Sequence, residues 1–599
     1  MGLATCGCAA EDTRASAATG AAPGSGGSPG GTDGAGGLFT TGTGLNCSGA
    51  VSCSDDFGAV LCDGNVVQAC GPNEGCANGA CVDSCAAAEA NKSTVGCDYY
   101  AGNPSGLETS GACFAVFVAN TTAVDVAIDV ERDGAALDVA SFARIPSGSG
   151  LNAVYAPLDN GKLPAGEVAI LFLAKFGPAT LTKPDCPAGI TPAVTSEAAA
   201  LYGTGIARPF HITTSAPVVA YDIFPYGGGP SVNAGATLLI PAAAWDTNYI
   251  AIATYAGPQW LQIIAREDDT EVTILPKLGI EGGPGVAPAA PGVPATYSLS
   301  AGQTLQLQQD LELTGSPIQS TKPVGVVGGN ETMSIPVGTY AADAAHQMIP
   351  PVRALGSEYV GVRYRNRRAG VEETPPWRII GAVDGTTLTY EPAAPPGAPT
   401  TVASGEVLEF AAAGPFVVKS QDADHPFYMS GHMTGCMVVG GGFDQPDGCP
   451  GDPETVNVIP PAQFLKSYVF FTDPTYPETN LVFVRKRGPD GFADVSLDCA
   501  GALTGWQPAD SSGNYEYTRF DLVRGNFEGQ GNCDNGRHEV SSDAPFGVTV
   551  WGWGTAATGG SPDPGNPLPG FYSQWVSYAY PAGASVQSIT EVEVPAVPK

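Results

Sequence analysis

A short apolar stretch that runs through Ser or Thr to a proline, and then into an alternating strand-like run, occurs four times in the chain. The four prolines are Pro217, Pro323, Pro426 and Pro545, and by subtraction they are 106, 103 and 119 residues apart. A period of about 105 residues is the size of one whole β-domain and not of one hairpin. The recurrence therefore predicts a chain built from copies of a single β packing unit.

Two further patterns recur with nearly the same period. An Ile-Pro pair precedes a tyrosine by eight or nine residues at Pro241, Pro350 and Pro460. A tight turn leads into an alternating strand at residues 268–274 and again at residues 384–389, which is the pattern of a hairpin. Helix signals are confined to two short pieces, residues 85–92 and 341–347. Each copy is thus expected to consist almost entirely of strands.

The composition agrees with an all-β fold. Glycine and proline contribute 80 and 52 of the 599 residues, and charged residues only 14%, which suits many turns and short strands. At roughly 150 residues per domain, about four domains are expected. We predict tandem Ig-like or Greek-key β-sandwich repeats after a Cys-rich segment. The alternative is a ring-like or propeller-type closure, in which residues 578–581 of the tail complete an early sheet.

The predicted domain boundaries follow from these repeats and from the local composition. Residues 1–46 are poor in apolar side chains and rich in Gly, Ser and Pro, so they cannot bury enough surface to become ordered and are expected to form a disordered tether. Residues 47–96 form the Cys-rich disulfide segment. The four β repeats are expected at residues 97–238, 239–347, 348–457 and 458–599, and the last of them includes a closing tail.

Sixteen cysteines indicate an oxidising compartment and hence an exported protein. Eight of them are clustered and are expected to pair among themselves, in a connectivity that the sequence leaves open: Cys47, Cys53, Cys62, Cys70, Cys76, Cys81, Cys85 and Cys97. Zinc is the rival interpretation, but the segment has no Cys-x2-Cys pair and no histidine. Proximity in the sequence predicts three more pairs: Cys113 with Cys186, Cys436 with Cys449, and Cys499 with Cys533.

The net charge of −33 argues against nucleic acid as a partner, because an acidic surface repels phosphate. No run of about 18 apolar residues is present, so no transmembrane helix is predicted, and any membrane anchor must be covalent. Leu3-Ala4-Thr5-Cys6 loosely resembles a bacterial lipobox. Cys6, or else Cys8, is therefore the candidate for lipidation. In this interpretation the protein is a lipoprotein, and its sequence as given starts too late to include the signal peptide. The alternatives are a plain secreted protein and a disordered tail in another setting.

No catalytic motif is present, since the chain lacks His-Glu-x-x-His, Gly-x-Ser-x-Gly, a P-loop and a dinucleotide fingerprint. His425 and His432 lie near Asp422 and Asp424 and are a candidate metal or acid–base site, with a hydrogen-bonded loop as the alternative. Carboxylates at residues 267–269, or at Asp422 and Asp424, could bind Ca²⁺, although residues 268–269 also fit a hairpin turn. No other cofactor or metal is predicted.

Two speculative ligand-binding groups remain. A basic stretch could recognise sulfated or sialylated glycans through guanidinium contacts, or could be a charged strand edge. It consists of Arg363, Arg365, Arg367 and Arg368. Trp551 and Trp553 could form an aromatic platform or could pack in a core.

Seven motifs spread over residues 95–584 carry a family likeness. They lie at residues 95–100, 114–120, 220–226, 236–241, 311–329, 346–351 and 577–583. In combination they resemble the IgGFc-binding protein N-terminal domain family, whose bacterial branch looks like lipoproteins with a Cys-rich segment before this domain. The resemblance implies an extracellular, mucin-associated or surface-exposed binding protein. The chain departs from the family pattern at residues 329–332 and 342–346, where an expected disulfide is absent.

The sequence therefore predicts a secreted or outer-surface protein, with or without a lipid anchor, that acts in binding or adhesion. Its partner is expected to be a glycoprotein, a glycan or another surface component, and no enzymatic activity is expected. Two alternatives stay open. One is a structural envelope or matrix protein, and the other is an extracellular hydrolase whose site lies on the loops of the repeats.

Overall fold

Strands provide nearly all of the secondary structure, as a computed structural model of the chain shows. The structure describes residues 47–597 except for residues 48, 55–56, 107–109, 149–151, 230, 256, 340–341, 442–447 and 556–572. The tether predicted at residues 1–46, with Cys6 and Cys8, lies outside the described residues. The prediction of an all-β fold compatible with β-sandwich repeats is confirmed.

The Cys-rich region is a small sheet, a hairpin and a helix held by four disulfides. Its elements are β1 (Val51–Cys53), β2 (Ala59–Cys62), β3 (Asn65–Ala69), β4 (Glu74–Ala77), β5 (Ala80–Asp83) and α1 (Ser84–Asn91). Its pairs are Cys47 with Cys62, Cys53 with Cys76, Cys70 with Cys81, and Cys85 with Cys97. All eight sulfurs are bonded, so none is a thiolate ligand for zinc. The carboxylate of Asp83 caps α1, and the predicted helix at residues 85–92 is confirmed.

The remaining strands fall into four groups, which we call copies 1 to 4. Copy 1 comprises β6 (Val95–Ala101), β7 (Phe114–Asn120), β8 (Val126–Arg132), β9 (Ala135–Leu137), α2 (Val139–Phe142), β10 (Ala143–Ser147), β11 (Val154–Pro157), β12 (Lys162–Leu163), β13 (Val168–Ala174), β15 (Phe210–Phe224) and β16 (Gly235–Leu238). Copy 2 comprises β14 (Gly205–Ala207), β17 (Asp246–Ile250), β18 (Gln259–Ala265), β19 (Thr270–Ile274), β20 (Ala295–Leu299), β21 (Gln303–Gln309), β22 (Pro317–Met333) and β23 (Asp343–Met348). β14 precedes the last strands of copy 1 in the chain but pairs with β21.

The other two groups repeat this arrangement. Copy 3 comprises β24 (Glu358–Gly361), β25 (Pro376–Gly381), β26 (Thr386–Thr387), β27 (Thr389–Glu391), β28 (Thr401–Val402), β29 (Val407–Ala411), β30 (Phe416–Lys419), β31 (Phe427–Met433) and β32 (Glu454–Asn457). Copy 4 comprises β33 (Leu465–Phe471), β34 (Glu478–Lys486), β35 (Val495–Leu497), β36 (Gly501–Ala502), β37 (Gln507–Pro508), β38 (Tyr515–Arg524), β39 (Glu528–Gly529), β40 (Arg537–Trp553) and β41 (Ser577–Pro581).

Each copy has two layers because its recurring proline divides one strand between two sets of partners. Before Pro323, β22 pairs mainly with β17 and β19, and after it with β18 and β23. β15 and β40 divide in the same way, and the register shifts near the proline. In copy 3 the strand is broken around Pro426 into β30 and β31, which join different sheets. Since proline has no amide hydrogen, it cannot continue the ladder, and the strand changes partners there.

A buried tyrosine bridges the two layers beside each proline. Its hydroxyl donates to the carbonyl of the residue that follows the proline. These bonds join Tyr99 to Val218 at 2.6 Å, Tyr249 to Val324 at 2.8 Å, Tyr359 to Phe427 at 2.6 Å, and Tyr468 to Phe546. In copies 2, 3 and 4 the same hydroxyl accepts the amide three residues before the tyrosine. The copies therefore share a hydrogen-bond arrangement as well as a sequence pattern.

Two local predictions are wrong. A 3-10 turn follows Pro241, Pro351 and Pro460, so the equivalent proline in copy 3 is Pro351 and not Pro350. The proline then precedes the tyrosine by eight residues in all three copies. The helix predicted at residues 341–347 is also wrong, because residues 343–348 form β23 and pair with β22. Tertiary pairing overrides the helix propensity of this alanine-rich segment.

The four copies close into a ring through their last strands. β16 packs against β23, β23 against β32, β32 against β41, and β41 against β16. Gln347 on β23 lies among them. Its side-chain amide donates to the carbonyls of Ala236, Thr455 and Ala579, one on each of the other three strands, at 3.0 to 3.1 Å. One side chain thus joins all four copies.

The tail strand completes the last sheet and not an early one. β41 pairs along β40, with Tyr580 opposite Val550, so the alternative prediction for residues 578–581 is wrong in its pairing. The residues that follow do reach copy 1, where the amide of Thr94 donates to the carbonyl of Ala584 at 2.9 Å. Copies 1 and 4 also share one apolar core. The chain is therefore closed by packing between its first and last copies.

Candidate binding site

The basic stretch and the tryptophan pair meet at the junction of copies 3 and 4. The ring of Tyr364 lies 4.8 Å from that of Trp551 and 6.0 Å from that of Trp553. The guanidinium of Arg365 lies over Trp553 at 4.7 Å. Two candidates that are remote in the sequence are thus one cluster in space.

The four arginines of this cluster are engaged within the protein. Arg367 is fully buried and its guanidinium donates to Glu373 at 2.9 Å. Arg363 pairs with Glu372 at 2.7 Å. Arg365 pairs with Glu478 and, at 2.7 Å, with Asp521, and Arg368 donates to the carbonyls of Val439, at 3.2 Å, and Gly440. Burial opposes ionisation of Glu373, but Arg367 outweighs it and holds the pKa of that carboxyl below its ordinary value.

Burial also removes the predicted aromatic platform. Trp551 and Trp553 are 3% and 1% exposed, so neither ring has a face free for a ligand. Arg363 and Arg367 are buried as well, whereas Arg365 and Arg368 are partly exposed. The ion pairs of Arg365 join copy 3 to copy 4, and those of Arg363 and Arg367 lie within copy 3.

The predicted calcium ligands at residues 267–269 lie in a tight turn that connects β18 to β19, two strands that each pair with β22 and not with each other, so the predicted turn is present but it is not a hairpin. The Oδ1 of Asp268 accepts the amide of Ala301 at 3.0 Å, and Asp269 adopts a left-handed backbone conformation. In copy 3 the Oδ1 of Asp384 accepts the amide of Ser404 at 2.9 Å in the same way. The turn interpretation therefore accounts for these carboxylates.

The two histidines near Asp422 do not converge. His425 lies on the loop between β30 and β31, and its Nδ1 is 2.6 Å from the Oδ1 of Asp422. His432 is buried within β31, where its Nε2 is 3.1 Å from the hydroxyl of Ser430. Burial, followed by the charge of Arg378, lowers the pKa of His432 well below its ordinary value.

Ser430 and His432 do not form a working nucleophile and base. The Nδ1 of His432 has no hydrogen-bond partner in the described structure, so no carboxylate orients the ring. The adjoining cavity has a volume of only 10 Å³, which leaves no room for a substrate. This pair is a buried structural contact.

The three predicted long-range cysteine pairs are bonded: Cys113 with Cys186, Cys436 with Cys449, and Cys499 with Cys533. Among the described residues, two groups have the spacing of a metal site, and each includes sulfur from these disulfides. One is Cys436, Cys449 and Asp452, and the other is Asp498, Cys499 and His538. A disulfide sulfur is not the thiolate that binds metals, so neither group is an effective metal site.

The centre of the ring contains buried carboxyl groups. The carboxylate of Asp343 accepts the amides of Ala344 at 2.8 Å and Ser577 at 3.0 Å. Burial raises its pKa well above the ordinary value, and Asp452 and Glu454 raise it further. Burial also raises the pKa of Glu454 well above normal, and it raises that of Asp452 to about 8 against the opposing charge of Arg367. Burial therefore favours the protonated form of all three carboxyls.

A cavity of 190 Å³ lies between copies 1 and 4. It is larger than three cavities of 10 to 40 Å³ that lie at other junctions between the copies. Its lining combines charged, amide, hydroxyl and aromatic groups: Pro146, Ser147, Gly148, Glu167, Val168, Phe471, Asn535, Gly536 and Arg537. The cavity is therefore a candidate binding site.

Arg537 gives this cavity a charged donor. Its side chain is 27% exposed, and its Nη2 lies 3.1 Å from the Oε2 of Glu539. Glu167 is exposed at the turn before β13 and supplies an acceptor. This site was not predicted from the sequence, because its residues are far apart in the chain and come together only where copy 4 packs against copy 1.

The floor of the cavity is rigid. The ring of Phe471 packs on Phe117 with centroids 4.7 Å apart, and its carbonyl accepts the hydroxyl of Tyr580. The amide of Gly536 donates to the hydroxyl of Thr472 at 2.9 Å. These bonds fix the backbone around the lining side chains, so the site exists before any ligand arrives.

Comparison with known proteins gives one match. A family model described as IgGFc binding protein matches residues 235–552, more than half of the chain. No curated protein and no solved structure matches the chain. The matched range runs from the last strand of copy 1 into β40 of copy 4.

Proposed function

Because the chain belongs to the IgGFc binding protein family, we propose that it is an extracellular binding or adhesion protein that recognises a glycoprotein or glycan at a surface without catalysis. The family is a binding family, and seven disulfides among the described residues are typical of an extracellular protein. The described part of the chain contains no helix with the length and apolar character needed to cross a bilayer.

The observation that carries this proposal is the use of the polar side chains. Arg365, His346 and the central glutamine join one copy to another. No described serine, histidine and carboxylate combine into a catalytic triad around a cavity of useful size. A closed ring with its polar groups used in this way is suited to presenting a rigid surface.

We test this proposal with the full-length protein on an array of glycoproteins, each printed intact and after enzymatic deglycosylation. Binding to intact glycoproteins that falls after deglycosylation is expected, and the reduced and alkylated protein serves as the control. Turnover of a panel of polysaccharides and esters, in the absence of binding, would show an enzyme. If the protein neither binds a glycoprotein nor turns over a substrate, the result would indicate a structural matrix protein and overturn the proposal.

We also propose that the protein is a lipoprotein of the bacterial branch of the family, acylated at Cys6. The support is the sequence Leu3-Ala4-Thr5-Cys6 followed by the Gly/Ser/Pro-rich tether. Mass spectrometry of the N-terminal peptide from native membranes should show an acyl mass on Cys6. A Cys6→Ser variant should lose membrane association while Cys8→Ser keeps it. An unmodified Cys6 in the native protein would contradict this proposal.

A further inference from the structure

We propose that the cavity between copies 1 and 4 binds one neutral sugar unit of a glycan chain. This inference rests on the proposed binding function and names the ligand class and the residues that receive it. Arg537 and Glu167 are the polar contacts, and Phe471 provides the apolar floor.

The size of the cavity selects a small ligand. Pockets for drug-sized molecules measure about 300 to 1,000 Å³, whereas this cavity measures 190 Å³. A single sugar ring fits this space better than a folded peptide segment or a larger cofactor. The rest of a glycan chain would extend from the open side of the cavity.

The polar groups select hydroxyls over anions. A sugar hydroxyl is both a donor and an acceptor, so one ring can accept a hydrogen bond from Arg537 and donate one to Glu167. An anion would face the exposed carboxylate of Glu167, and Glu539 already pairs with the guanidinium at 3.1 Å. The net charge of −33 further disfavours an acidic ligand.

The guanidinium of Arg537 provides the donor of the site. Its side chain is 27% exposed and lines the cavity, so a hydroxyl placed in the cavity can accept a hydrogen bond from it. The apolar face of a sugar ring would lie toward Phe471, whose ring is already held by Phe117.

The test measures binding of methyl glycosides of neutral hexoses and N-acetylhexosamines to the full-length protein by saturation-transfer NMR and calorimetry. Sialyl and sulfated glycosides are run beside them. Arg537→Met removes the guanidinium donors while keeping the length of the side chain. We expect at least about a tenfold loss of affinity, the effect of losing a hydrogen bond to a charged group. Glu167→Gln should weaken binding as well.

Arg208→Met is the matched control, because Arg208 is also partly exposed and paired with one acid, Asp133 at 3.1 Å, and does not line the cavity. It should bind like the unmodified protein. Thermal unfolding of each variant shows whether it is folded.

The outcomes separate this inference from the proposed function. Glycoprotein binding that Arg537→Met leaves unchanged would overturn the cavity as the site while the binding function stands. Binding of acidic glycosides alone would overturn the neutral class. Silence of the unmodified protein on the whole glycoprotein array would overturn the binding function itself.

Discussion

Raising the pH from 5 to 9 should destabilise the ring, because its centre contains buried carboxyls whose pKa values are raised by folding. Burial raises the pKa of Asp452 to about 8, whereas in the unfolded chain it has its ordinary value of 3.8. Between pH 5 and pH 8 the folded protein holds a proton that the unfolded chain has lost. The stability from this group is therefore fully present below pH 4 and is lost as the pH rises through 8.

The size of the effect follows from the pKa difference. Each pH unit in this window costs about 1.4 kcal/mol, so the three units from pH 5 to pH 8 cost about 4 kcal/mol for Asp452 alone. If the four copies unfold as one unit of roughly 500 residues, at about 2.1 cal/mol/K per residue, the melting temperature falls by about 4 °C. Asp343 and Glu454, whose pKa values burial also raises, act in the same direction.

Calorimetry at pH 5, 7 and 9 measures this dependence, and Asp452→Asn isolates it. An asparagine stays neutral at every pH, so the variant should match the unmodified protein at pH 5 and exceed it at pH 9. Asp133→Asn, on an exposed carboxylate paired with Arg208, is the control and should leave the pH dependence unchanged. A melting temperature that does not fall between pH 5 and pH 9, or an Asp452→Asn variant with the unmodified slope, would refute the reasoning.

Two substitutions test the contacts that build the copies and join them. Tyr359→Phe leaves the carbonyl of Phe427 and the amide of Gly356 without their hydroxyl partner, so thermal unfolding should show that the free energy of unfolding falls by about 1–3 kcal/mol. Tyr202→Phe, on a ring that is 54% exposed, is the control and should leave the stability unchanged. Equal stabilities of the two variants would contradict the role of the Tyr359 hydroxyl. Arg367→Met leaves the buried carboxylate of Glu373 without its ion-pair partner and should lower the free energy of unfolding by about 3–5 kcal/mol. Adding Glu373→Gln should restore much of this stability. A double variant no more stable than the single one would show that the ion pair is not what the arginine contributes.

The repeats were predictable because their signals are local. The prolines, the tyrosines eight residues after Pro241 and Pro460, and the turn at residues 268–269 each report a geometry that neighbouring residues enforce. An alternating run after a proline that cannot pair predicts a strand at a sheet boundary. This information sufficed for the all-β class and for the size of the unit.

The candidate site was not predictable, because it depends on contacts between copies. The residues next to Arg365 in the sequence suggest that it lies on the surface. Its partners, Glu478 and Asp521, belong to copy 4 and reach Arg365 only in the folded protein. Arg537 follows a turn like many others in the sequence, and its cavity exists only where copy 4 packs against copy 1. The helix predicted at residues 341–347 was wrong for the same reason, since β22 supplies the pairing that makes this segment a strand.

The recurring proline and the recurring tyrosine are two parts of one structural device. Because the proline has no amide hydrogen, the strand cannot keep one set of partners through it. In every copy the tyrosine hydroxyl donates to the carbonyl of the residue that follows the proline and so fixes the strand at the point where its partners change. Copy 3 shows that the hydroxyl contact is the constant element, since residues 420–426 interrupt its strand and yet Tyr359 still reaches Phe427 at 2.6 Å. Strand continuity can therefore be lost from a copy while this contact keeps its two layers in register.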